Sequence, residues 1–538
     1  MASTPANSLT LVSTGLADTR LMPVKGNPDV HQFIKVVRKT TRWAAIWERI
    51  DFDGSPEFGQ RVSCTLPRKG ELVSGINIVV KMPDIYTAQL NAIKASGGTD
   101  LTSRGSFLGP TYGWTNSLGH ALIQLVELEI GGAIVDSLDS RQLEVLDELY
   151  ESIESVQAKN AMIKRAPNGF SSSTWLEEKQ TTVYVPIPFW FSKPGAYKQA
   201  LPIEALRSDI VRIHVTFRPI SQLFYTDARV DARTVGYRDG IDSVGGMWGL
   251  AGARFWRKNP SATGDVYTMN AGMVAFDRQG KMTPVKGEII PDIRMSTSLR
   301  MSEGYLLAEY ISLEEFEALT IRSAELTYHV EQHIQVPVEQ TLGTKEIQQS
   351  LPYTNPTKDL IWAFQRPEAE VFNAWFLFTR DLSKASTPNN PFNPCLQPWW
   401  PDAVITPTAA RNWQIQPAFQ HSYSEPMESA ILLYNSYDRF QHEGGSFFRT
   451  IVPNLYYTKS ALHDRYVYAY SFGHRMTGKD SSPKGAANWD KIPRKELYVS
   501  LRKGRGGGSP PNLNLYVYVT IWNIFKVYGG RGGMLFSN

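Results

Sequence analysis

The Gly131-Gly132 pair inside GHALIQLVELEIGGAIVD (residues 119–136) restricts the fold of this chain more than any other feature. Two glycines between apolar runs supply the positive φ angles of a tight hairpin. The strand-like run from Gly119 therefore turns there and resumes with Ala133, Ile134 and Val135. A second segment, VYVPIPFWFSKPGAYKQALPIEALRSDIVRIHVTF (183–217), answers it downstream. Pro186 and Pro188 sit in a β-rich apolar stretch, Pro194 and Gly195 end it, and an alternating strand starts at Ile210.

A length of 538 residues points to two to four domains. With 42% hydrophobic and 20% charged residues the chain is a folded, globular one. Its 12% aromatic content suits pleated surfaces. A net charge of +4 is too small for a protein that neutralises many phosphates, so no specific nucleic-acid binding is expected. The nearest basic run, Lys35, Arg38, Lys39, Arg42 and Arg49, is interleaved with apolar residues and reads as the solvated face of an early strand. Cys64 and Cys395 do not make a disulfide framework. Asn259 and Asn355 are each followed by Pro, which removes the N-linked acceptor motif. The N-terminus shows no signal-peptide pattern and no apolar run approaches the length of a bilayer span. Assembly in a reducing cytosol or nucleus is the simplest expectation.

Residues 1–30 lack periodicity and are expected to form an arm that a partner orders. Short strands are expected in QFIKVV and in RVSCTLPRKGELVSGINIVVKMP, with a turn at Arg68 to Gly70. Residues 84–118 read as a long surface loop and 221–303 as a turn-rich excursion. Leu143, Leu146, Leu149 and Ile153 recur at helical spacing behind a cap at Asp139, predicting a helix of about four turns. After a strand and short helix at Tyr305 to Leu319, apolar Leu326, Tyr328, Val330, Ile334 and Val336 alternate with Thr327, His329, Glu331, His333 and Gln335. Later strands are expected at Leu360–Phe364, Ala430–Tyr434, Tyr466–Phe472, Glu496–Leu501 and Leu513–Val527, the last buried on both faces. The chain is read as all-β with local helices.

Several segments resemble, in order, the double jelly-roll major capsid proteins of large eukaryotic (nucleocytoplasmic) DNA viruses. They are HQFIKVVRKTTRW, the Arg68-Gly70-Glu71-Leu72 turn, GHALIQLVELEIGG, VPIPFWF with ALPIEAL, and LPYTNPTKDLIWAFQ. AILLYNSYDRF (with Asn435, Arg439 and Phe440) and the terminal GGRGGMLFSN complete the series. Thr354 and Trp489 depart from the family pattern. The resemblance implies two tandem eight-stranded antiparallel jelly rolls with a few short helices and long loops: arm 1–30, first jelly roll 31–320, second 321–538. It implies a virion structural protein that forms homotrimers, pseudo-hexameric capsomers and an icosahedral shell. The partners implied are neighbouring capsomers, minor capsid proteins, a penton protein and an inner membrane beneath. A jelly-roll enzyme or glycan-binding module, and a minor capsid or scaffold relative, are the competing readings.

The residues that hint at chemistry have plainer explanations. His329, Glu331 and His333 alternate on a strand rather than a metalloprotease helix, and are expected to line its solvated face. Lys503 to Ser509 is glycine-rich but lacks the Gly-Lys-Ser/Thr ending of a phosphate loop. The acid pairs Glu314/Glu315 and Asp147/Glu148 are expected on solvated helix faces. No catalytic, cofactor or metal site is expected.

Overall fold

Strict alternation of burial along Val211–Phe217, where every second side chain is buried, shows a strand with one face on a core. The computed structural model describes residues 43–84, 111–165, 181–193, 199–227, 300–371, 374–380, 425–461, 465–474, 485–503 and 509–536, with four short strands inside 256–284. The arm 1–30, QFIKVV, Lys35, Arg38, Lys39, Arg42, Cys395 and most of 84–118, 221–303 and 503–509 lie outside the described residues.

Among the described residues, sixteen framework strands fall into two sets of eight. The first set is β1 (Trp43–Asp51), β2 (Arg61–Thr65), β3 (Leu72–Met82), β4 (Ile123–Ile130), β5 (Ala133–Asp139), β6 (Thr181–Pro186), β7 (Val211–Phe217) and β8 (Glu303–Leu313). The second is β9 (Leu326–Gln335), β10 (Glu346–Ser350), β11 (Pro356–Gln365), β12 (Met427–Tyr434), β13 (Tyr437–Gly444), β14 (Val467–Ser471), β15 (Lys495–Leu501) and β16 (Asn514–Tyr528). Sheet order is β1-β8-β3-β6 and β2-β7-β4-β5 in the first set, and β9-β16-β11-β14 and β10-β15-β12-β13 in the second. The two halves thus share one connectivity, and each is an eight-stranded antiparallel jelly roll. Short extra strands at 339–340, 487–488 and 531–534 extend the β9 sheet.

The turn at Gly131 and Gly132 joins β4 to β5 with φ of 61° and 87°. Asn435 and Ser436, at φ 50° and 75°, make the corresponding turn between β12 and β13. A Cβ on Gly131 would lie 2.8 Å from the Asp209 carboxyl carbon, and Asp209 also accepts a 2.8 Å hydrogen bond from Gly532 N. Gly131→Val therefore combines backbone strain with loss of that bond, and an expected loss of about 1–3 kcal/mol is measurable by urea unfolding. Gly132→Ala, with open space around its Cβ, should cost less.

Local structure departs from the sequence reading at four places. Leu118–Leu122 is a short helix, α1, so the strand begins at Ile123 and not at Gly119. Thr111–Trp114 is a strand paired with Phe224–Asp227, and Thr115 to Ser117 are buried, so the end of 84–118 is not surface loop. The helix after Asp139, α2 (Ser140–Tyr150), has three turns, and Ile153 lies outside it and exposed. Its cap is as expected: the Asp139 side chain accepts from Gln142 N. The polar face of β9 is exposed at His329, as expected, but buried at Glu331 and His333 rather than solvated, and Gln332 on the opposite face is buried as well.

One hydrophobic cluster contains Val126, Ile213 and Trp190 of the first half together with Val330, Tyr518 and Phe525 of the second. The two jelly rolls are packed on each other. A second cluster, around Trp362, Tyr468 and Val519, fills the sandwich of the second half.

The seam between the jelly rolls

Two edge strands meet where the halves join. β5 is the edge of one sheet of the first jelly roll and β9 the edge of one sheet of the second. An unpaired edge exposes backbone donors and acceptors that need partners. Side chains supply them here. Gln332 Nε2 donates to Val135 O, and Asp136 accepts from His333 N at 3.0 Å and from His333 Nδ1 at 3.1 Å. Gln332 is itself held by Asn523 Nδ2 at 2.6 Å. All four of these side chains are buried.

Beside this contact, Glu331 receives Lys193 from the first jelly roll and Lys358 Nζ, at 2.7 Å, from β11. Burial opposes ionisation of Glu331, but Lys193 and then Lys358 outweigh it and hold its carboxyl well below the usual range. Lys358 Nζ also lies 4.7 Å from the Tyr150 ring centroid, and the Tyr150 hydroxyl donates to Asp359.

The seam's largest charge cluster lies along α2. Glu144, 0% exposed, accepts from Arg165 at 2.6 Å and from Ser117 Oγ at 3.0 Å, and pairs with His120 Nδ1 at 2.6 Å. Arg465, from the second jelly roll, donates to both Glu144 and Glu148. Asp147 faces Arg165 and Lys159, the latter at 2.6 Å from α3 (Val156–Ile163). Burial disfavours the charged form of both Glu144 and Asp147. Arg165 and Arg465 overcome it at Glu144, Lys159 and Arg165 at Asp147, and both carboxyls end below their ordinary range. Burial pushes His120 down, so a neutral ring donates to an ionised carboxylate. Asp147 and Glu148 are therefore not on a solvated face, as their adjacency suggested; Glu314 and Glu315 are exposed as expected.

Further links close the seam. Leu149 O accepts from Thr458 N and Lys459 N, and Trp375 Nε1 donates to Gln222 O at 2.7 Å. Arg141 Nε donates to Gln365 Oε1 at 3.0 Å while its guanidinium lies 4.5 Å from the Tyr516 ring centroid. Ser208 N donates to Gly530 O at 2.9 Å. Asp136, Gln332, Arg165 and Arg465 went unremarked in the sequence because their partners are distant along the chain. Among the described residues no group of three His, Cys, Asp or Glu could hold a metal ion. The Cys64 thiol is buried, and burial raises its pKa to about 12, which makes it a poor nucleophile.

The arrangement locks two jelly rolls into one body. Comparison with known proteins agrees. Residues 32–247 match the family model of the major capsid protein N-terminus, and residues 317–533 that of the large eukaryotic DNA virus major capsid protein. The chain belongs to this capsid family. It is 21% identical over 565 residues to "Probable capsid protein 4" of Acanthamoeba polyphaga mimivirus, covering 98% of both chains. It is 22% identical over 641 residues to the major capsid protein of Chrysochromulina ericina virus, covering 98% of this chain and 99% of that one. The fold matches the PBCV-1 virus capsid model with TM-score 0.60 and 18% identity, over 94% of this chain and 100% of the other. The protein is a major capsid protein of a large DNA virus, a virion component with a structural, non-enzymatic role.

Proposed function

We propose that this capsid protein forms homotrimers whose jelly rolls, two from each copy, make a pseudo-hexagonal capsomer that tiles an icosahedral shell. The observation that carries the reading is the edge-to-edge seam. Asp136–His333 and the Glu144–Arg165–Arg465 cluster make each chain a rigid pair of similar wedges, the unit such a ring needs. The division between the jelly rolls falls in the helix Glu315–Ser323, α4, which spans the 320/321 boundary and links β8 to β9. The partners that fit this role are neighbouring capsomers, minor capsid proteins, a penton protein and a membrane beneath the shell, with assembly in the host cytoplasm or nucleus. No catalytic, cofactor or metal residue is assigned.

Light scattering of the purified chain at micromolar concentration is expected to give three times the 60.5 kDa monomer mass. Negative-stain images should show uniform three-fold particles. A folded monomer in both measurements would sink the proposal.

A further inference from the structure

The internal repeat places the two halves in register residue by residue, because both carry bulges at matching positions. On β3 the bulge leaves Ser74 extra between Val73↔Tyr310 and Gly75↔Glu309. On β11 it leaves Lys358 extra between Thr357↔Ile521 and Asp359↔Thr520. Glu309 pairs with Trp47 and Tyr310 with Ile46, whereas Thr520 pairs with His333 and Ile521 with Gln332. Trp47 and Ile46 on β1 therefore hold the places of His333 and Gln332 on β9. In the other sheet, Leu128↔Asp136 and Glu129↔Ile134 match Leu432↔Phe440 and Leu433↔Asp438, each pair following a two-residue turn. Phe440 and Arg439 on β13 thus hold the places of Asp136 and Val135 on β5.

In the chain's own seam, β5 and β9 are joined. Their counterparts β13 and β1 are both sheet edges and have no partner strand on the outer side among the described residues. β1 carries Trp43, Ile46 and Trp47 at 54%, 41% and 51% exposure, an unusual load of apolar surface for a solvated edge. Tyr437 at the start of β13 is exposed as well. The segment after β13 repeats the pattern. There Ile451 and Leu455 are exposed in the position that α2 occupies after β5, where α2 is buried in the seam.

We infer that β13 of one copy docks on β1 of the next, repeating between chains the seam that β5 and β9 make within a chain, with Trp47 and Ile46 against Phe440 and Arg439. The inference rests on the trimer reading above and specifies which surfaces form it. The polar Asp136–His333 contact is replaced between chains by an apolar one, exposed Trp47 against the half-buried Phe440, whose ring is backed by Phe448 and Tyr470 of its own jelly roll. The two surfaces differ, so the contact is head-to-tail, and it closes into a ring of three when each seam turns by one sixth of a circle.

The full-length chain is the subject of the test. Trp47→Asp and Arg439→Asp, each alone at an exposed position, are expected to convert trimers to monomers at micromolar concentration, with circular dichroism unchanged. A paired variant, Trp47→Cys with Phe440→Cys in a Cys395→Ser background, should run as a covalent trimer on a non-reducing gel after mild oxidation. Each single-cysteine variant should stay monomeric on that gel. Trimers that survive both aspartate substitutions, or a paired variant that links within one chain or not at all, would overturn the docking while leaving the trimer reading intact. A wild-type chain that is monomeric in scattering would remove both. Where an aspartate variant fails to fold, the cysteine pair still decides.

Discussion

Replacing Arg465 by Met is expected to lower the unfolding free energy by about 3–5 kcal/mol, the usual cost of leaving a buried charge without its partner. Arg465 is the guanidinium that the second jelly roll sends to the α2 carboxylates, where it serves both Glu144 and Glu148. Glu144 keeps Arg165 and His120 when Arg465 is lost, whereas Glu148 has no other ion pair among those described. A loss of this size is a large part of a typical domain's margin. It falls on the joint between the halves, so unfolding should split into two transitions. Adding Glu148→Leu to Arg465→Met removes the orphaned charge and should recover about half of the loss. Urea titrations followed by near-ultraviolet circular dichroism measure all three proteins. A single transition at the wild-type midpoint for Arg465→Met would show that the cluster does not hold the halves together.

Much of this architecture is legible from local pattern, because strands and turns are governed by neighbours in sequence. The alternation in Val211–Phe217, the apolar run of β16 and the cap at Asp139 all stand where the sequence puts them. What local pattern does not carry is the identity of the neighbour that covers a polar face. His329, Glu331 and His333 alternate with apolar residues, which fixes them on one side of β9. That side is closed at Glu331 by Lys193 and at His333 by Asp136, residues more than a hundred positions earlier. Asp147 and Glu148 are misread for the same reason: Arg165 lies 18 residues from Asp147, and Arg465 lies 317 from Glu148. Three buried acids on a short helix were a usable signal only if their cations could be paired over such distances. The GHAL stretch fails differently. Leu118–Leu122 has no strand partner, and Ala121 N bonds Ser117 O in a helical turn.

The seam's charges also set an acid limit on stability. Burial resists ionisation at Glu144, Asp147, Glu151 and Glu331, yet the facing cations (Arg165 and Arg465, Lys159 and Arg165, Lys159, and Lys193 with Lys358) hold all four below their ordinary range. A carboxyl depressed in the folded state contributes stability that is present above its unfolded pKa and lost as pH falls towards its folded pKa. His120, pushed down by burial from 6.5, acts in the same direction and begins higher, because the unfolded chain binds its proton first. Asp139 opposes them, since burial raises its pKa and acid there favours the folded chain. Asp139 acts only above the ordinary carboxylate range of roughly pH 4; below it that group is protonated in both states, and the four lowered carboxyls contribute an uptake of up to about four protons on unfolding. Stability should therefore be level between about pH 7 and pH 8, slope gently down through the histidine range, fall steeply below about pH 4, and fall again in alkali, where the unfolded chain loses the protons that buried Cys64 and the buried tyrosines keep. Unfolding free energies from urea titrations at half-unit pH steps give the slope directly. Glu331→Gln removes one of the four carboxyls and should reduce the uptake by about one proton while lowering stability at pH 7. An uptake near zero in the wild-type chain, or an unchanged slope in Glu331→Gln, would show that these carboxyls are not held ionised by the seam.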